Sequence, residues 1–144
     1  MGCDIHLYAE RQVDGEWESL HPSDVGLPPT RWDYDGRWFS ERDYVLFAVL
    51  ANVRNYGDEV RPISRPRGLP EDVAFFAEAG AALAGSDGHS HSWLMLGEIT
   101  GYDWTAAADL RVGWTGWPGD RWSDVIDALA ALPDPVRLVF WFDN

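Results

Sequence analysis

Val136-Arg137-Leu138-Val139-Phe140-Trp141-Phe142 decides the fold. The run is apolar on both faces, and a strand of that kind belongs inside a sheet with other layers covering each side. At the other end of the chain, Cys3 to Glu10 alternates. Cys3, Ile5, Leu7 and Ala9 fall on one face and Asp4, His6, Tyr8 and Glu10 on the other, the period of a half-buried strand. Asp14-Gly15 supplies a tight turn, and Glu16-Trp17-Glu18-Ser19-Leu20 reads as the returning strand of a hairpin. The first and last strands are expected to pair in the middle of the sheet.

Working outward, helical spacing predicts a helix over about Glu41 to Arg54, with Ser40 and Asp43 as a capping pair. A second is expected from Pro70 to Ala84 with Gly85 as its cap. At Trp93-Leu94-Met95-Leu96 pattern does not separate strand from helix, and a short helix through Tyr102 is the favoured reading. Asp124 to Leu132 reads as a further helix, capped by Ser123 and ended by Pro133 and Pro135. His21 to Phe39 reads as an ordered loop pinned by Trp32, Tyr34, Trp38 and Phe39, Asn55 to Leu69 and Asp103 to Asp120 as loops, and Ser86 to Ser92 as a flexible polar stretch. The expected architecture is one α+β domain over residues 1–144. It has a small mixed or antiparallel sheet, built from the N-terminal hairpin and a central C-terminal strand, packed by three or four helices.

Composition bounds the function. A chain of 144 residues with 46% hydrophobic residues and nine Trp has the content of a packed globule, not of a disordered segment. No apolar run approaches the ~20 residues that cross a bilayer, and charge arrives at Asp4, so no membrane association and a cytoplasmic location are expected. Cys3 is the lone cysteine, which excludes an intramolecular disulfide and a Cys-rich zinc site. It shares a face with Ile5 and Leu7 and reads as a small core residue, pointing away from His6. The net charge of −13 argues against a long nucleic acid as partner. All eleven basic residues are arginine, and Arg54, Arg61, Arg65 and Arg67 fall within one short segment. That segment suits a small anion, because a guanidinium presents a planar fork matched to phosphate.

Three functional expectations follow. The leading one is a pocket that binds a small phosphorylated, nucleotide-like molecule, with binding alone and binding followed by cleavage both open. Arg54 and Arg67 grip the anion there, Asn55, His89 and Trp93 complete the binding set, and His6, Asp4 and His91 transfer protons. Each of these residues also has a plainer reading: the arginines pair with the surplus of acidic groups, His6 hydrogen-bonds a strand neighbour, and Asp4 pairs an arginine. The second is a metal-dependent hydrolase, in which His6, His89 and His91 with Asp4 or Asp143 hold zinc or manganese and activate water. The third is an acidic, Trp-rich surface that binds a host protein without chemistry.

The start Met1-Gly2-Cys3-Asp4-Ile5-His6, the segments Tyr44 to Ala48 and Val53-Arg54-Asn55, the turn Arg67-Gly68-Leu69-Pro70, the stretch His91-Ser92-Trp93-Leu94 and the ending Val139-Phe140-Trp141-Phe142-Asp143-Asn144 together resemble a family of small bacteriophage and prophage proteins. The resemblance spreads over nearly the whole chain. It implies a setting in the host bacterial cytoplasm and a counter-defence role, and no activity that transfers residue by residue.

Overall fold

In the computed structural model, which describes residues 2–28, 36–109 and 119–144, the chain is built on a four-stranded antiparallel sheet. Its strands are β1 (Asp4–Val13), β2 (Glu16–Leu20), β3 (Gly88–Met95) and β4 (Val136–Asp143), in the order β2-β1-β4-β3. The hairpin forms as expected, with Asp14 and Gly15 both at positive φ (52° and 80°), the requirement of a two-residue turn matched to strand twist. β4 lies between β1 and β3, and seven of its eight residues are buried. The apolar C-terminal run is therefore the centre of the sheet.

Helices cover both faces. On one side Ile5, Leu7, Ala9, Leu138, Phe140 and Phe142 pack with residues of α1 (Tyr44–Ala51), α3 (Leu96–Thr100) and α5 (Gly119–Ala130), and with Trp38 and Phe39. Trp38 and Phe39 pin their loop as expected: the Trp38 amide donates to Leu7 O at 2.8 Å and its indole N–H to Leu20 O at 2.9 Å. Trp32 and Tyr34, read as sharing that task, lie outside the described residues, as does the centre of the Asp103–Asp120 loop. On the other side α2 (Phe75–Ala84) lies over Tyr8, Val139 and Trp141. Gly80 permits the approach, since a β-carbon there would sit 2.5 Å from Tyr8 Oη and 3.0 Å from Trp141. No helix among the described residues is long and apolar enough to cross a membrane.

The structure corrects several boundaries. Helix α1 begins at Tyr44, not Glu41, and Asp43 itself is the cap, accepting from the Leu46 amide at 3.0 Å. Pro70 precedes α2 by several residues; the helix opens at Phe75, where tertiary partners replace a local cap. Glu10 accepts from the Ala74 amide at 2.8 Å, and Ser19 Oγ from the Phe76 amide at 3.0 Å. Ser123 lies inside α5, which starts at Gly119. The polar Ser86–Ser92 stretch and Trp93–Met95 are largely strand, β3, and helix resumes only at Leu96; β4 offers a partner edge that no local pattern announces. A short helix of six residues, α4 (Trp104–Asp109), occupies part of the stretch read as loop.

Candidate functional site

Antiparallel pairing of β1 with β4 sets Asp4 opposite Asp143 and His6 opposite Trp141. Diagonal neighbours on one sheet face lie within reach of longer side chains, and His6 Nε2 meets Asp143 Oδ2 at 2.5 Å. The imidazole is held from a second direction by the Trp141 indole, stacked at 5.5 Å between centroids and 6° between planes. Nε2 is committed to the carboxylate, and Nδ1 has no hydrogen bond among the described residues.

This pair borders a cleft of about 340 Å³ lined by Asp4, Ile5, His6, Arg37, Ser40, Arg42 and Asp143. Arg42 grips Asp4 with both ends of its fork, Nε to Oδ1 at 2.6 Å and Nη2 to Oδ2 at 3.1 Å. These bonds hold the Asp4 carboxyl below the usual carboxylate range, and the charges of His6 and Arg37 act in the same direction. Two of the five guanidinium N–H donors of Arg42 serve Asp4, and the other three have no hydrogen bond among the described residues. Gly2 makes room for the group: a β-carbon on Gly2 would overlap the Arg42 guanidinium.

Other expected site residues go elsewhere. His89 and His91 are two apart and would share a face in a regular strand. A bulge between His89 and Ser92 places two residues against Trp141 and breaks that parity. His91 stacks on Trp141 (5.7 Å) and His89 on Phe142 (6.3 Å), a residue of the opposite sheet face. His6 and His91 reach Trp141 from the strands on either side of β4, so the indole stands between them. The expected His6, His89 and His91 metal centre is therefore not assembled, and among the described residues no group of three or more His, Cys, Asp or Glu side chains is arranged to hold a metal.

Arg67 is committed as well. Its fork binds Glu98 at 2.9 and 2.6 Å, Nη1 also donates to Trp93 O at 3.1 Å, and the guanidinium lies 4.8 Å over the Trp93 ring. The pair pushes Arg67 up and Glu98 down, mainly through these hydrogen bonds. Asn55 is a loop staple: it donates to Val60 O at 2.7 Å and to Asn52 Oδ1 at 2.8 Å, and accepts from the Val60 amide at 3.1 Å. Arg54 donates to Asn144 Oδ1 at 3.3 Å and covers the Tyr44 ring. Cys3 is fully buried, and burial pushes its thiol up, away from nucleophilic use.

Asp4, His6 and Asp143, singled out in the sequence, line one cleft with Arg37, Ser40 and Arg42, which no sequence pattern singled out for it and whose approach depends on a long loop. The one signal was their position just before the helix that begins at Tyr44. The chain is matched by no protein-family model, no curated protein and no solved structure.

Proposed function

We propose that the His6 cleft binds a small phosphorylated, nucleotide-like molecule and cleaves its phosphoester bond. The observation that carries this reading is the His6–Asp143 pair opening on a cleft with Arg37 and Arg42, in a chain of net charge −13. Guanidinium groups hold a phosphate by charge-assisted hydrogen bonds. The cleft volume stands at the lower end of the roughly 300–1000 Å³ typical of ligand sites.

In the cleavage step a water oxygen attacks phosphorus while the bond from phosphorus to the leaving oxygen breaks. His6 Nδ1 takes the proton from the water and returns it to the leaving oxygen, so the imidazole ends as it began. Asp143 stabilises the imidazolium between these events, and the arginines balance charge on the phosphoryl oxygens. A small phosphorylated signal is also the kind of ligand that the phage resemblance and a counter-defence role imply.

Thermal-shift titration with a panel of linear and cyclic nucleotides, followed by product analysis, tests the proposal. Stabilisation that is retained in His6→Gln, with cleavage lost, is the expected result. No stabilisation by any member at saturating concentration overturns it.

A further inference from the structure

Beside the His6 cleft lies a second groove of about 240 Å³, flanked by Tyr44 and Tyr56 with Arg54 and Glu59 at its edge. The two are neighbours through a short chain of contacts. The Cys3 amide, next to Asp4, donates to Tyr44 Oη at 3.0 Å. Arg54 donates to Asn144, the residue after Asp143. Their chemistry differs: the cleft is lined mainly by charged and polar side chains, whereas the groove offers two phenol rings.

The backbone beside the groove is held in an unusual form. Asn52, Arg54 and Asp58 all have positive φ (60°, 55° and 53°), and Gly57 lies among them at 75°. Asparagine and aspartate tolerate this region; arginine adopts it only under strain, and strain of this kind concentrates at ligand sites. Here the Asn55 staple maintains it, and the result is an Arg54 guanidinium fixed 5.3 Å over Tyr44. Tyr56 meanwhile is 74% exposed, a large aromatic left on the surface at the rim of the groove.

We propose that this groove is a nucleobase subsite, so that the ligand is a nucleoside phosphate with its phosphate in the His6 cleft and its base against Tyr56, beside the stacked Arg54–Tyr44 pair. The proposal rests on the phosphate reading of the cleft and adds the class of group attached to the phosphate. Stacking on an aromatic side chain is tolerant of base identity, so the groove recognises that a base is present before it recognises which one.

Calorimetric titration of the whole chain with ribose 5-phosphate and with each of the four common nucleoside 5′-monophosphates separates the two claims. The best nucleotide is expected to bind about tenfold or more tightly than ribose 5-phosphate. Tyr56→Ala is expected to remove that advantage without changing the affinity for ribose 5-phosphate, and Tyr56→Phe to restore it. Because Tyr56 is largely exposed, neither substitution endangers the fold. Ribose 5-phosphate binding as tightly as every nucleotide, or an advantage that survives Tyr56→Ala, overturns the base subsite and leaves the phosphate site standing. Binding of neither probe overturns both.

Discussion

His6 Nε2 and Asp143 Oδ2 lie 2.5 Å apart although 137 residues separate them in sequence, and each faces a different residue directly across the β1–β4 pair. The contact is diagonal. Asp143→Asn preserves its shape and removes the charge that stabilises a protonated ring. Turnover is expected to fall about 10²–10⁴-fold, the range of a positioned acid–base group, while ligand affinity stays close to that of the parent. Single-turnover rates alongside calorimetry check this; equal losses in affinity and rate would assign the pair to binding alone.

Gly2→Ala acts at a distance from the reacting atoms. A methyl group there occupies the space of the Arg42 guanidinium, so Arg42 must leave Asp4 or tilt away from the cleft. Weaker phosphate binding with unchanged stability is expected, because the Arg42–Asp4 pair is exposed and contributes little to folding. Calorimetry with inorganic phosphate and a urea melt of the same variant decide the matter.

The buried pair Glu10–Arg137 predicts the opposite pattern. Arg137 donates to Glu10 at 2.7 Å and to Asp72 at 2.9 Å, and stacks 4.1 Å over Trp17, while Glu10 caps α2 through the Ala74 amide. Arg137→Leu strands a carboxylate that is 1% exposed and should cost about 3–5 kcal/mol in urea denaturation. Asp72→Ala should cost under about 1 kcal/mol, since Asp72 is 67% exposed.

His91 sets a pH dependence. Burial, and then the neighbouring charge of His89, push its imidazole below the ordinary value, so the folded chain resists protonation that the unfolded chain accepts. The stability owed to neutral His91 is present above the ordinary histidine value of about 6.5 and is lost as pH falls below it. His91→Gln should flatten the decline in melting temperature between about pH 7 and pH 5; an unchanged slope would show that other groups carry it.

Much of the fold was legible because local pattern and tertiary role agree in three places. The alternation of Cys3–Glu10 announces strand β1, the Asp14-Gly15 turn its hairpin and the two-faced run Val136–Phe142 the sheet centre, although Tyr8 and Glu10, read as part of the open face of a half-buried strand, are each 1% exposed beside α2. β3 was not legible, because its ladder is made by β4 and its bulge at His89–Ser92 leaves no period to read. The site divides the same way. Asp4 and His6 declare a common face, and the C-terminal Asp143 joins them once β1 and β4 pair. Arg42 arrives through a loop, and Arg67 is diverted to Glu98 and Trp93, an assignment no spacing in Arg54–Arg67 encodes. Arg54 and Ser90, both at positive φ, likewise violate local preference and are visible only in the folded chain.

The central place of β4 has a consequence for synthesis. The hairpin β1–β2 can close early, while β4 follows more than a hundred residues behind β1 and pairs with both β1 and β3. A chain still on the ribosome therefore carries His6 without Asp143, and closing so long a loop makes this pairing a late event. The His6–Asp143 pair and the completed sheet form together, so products truncated before Asp143 lack the pair.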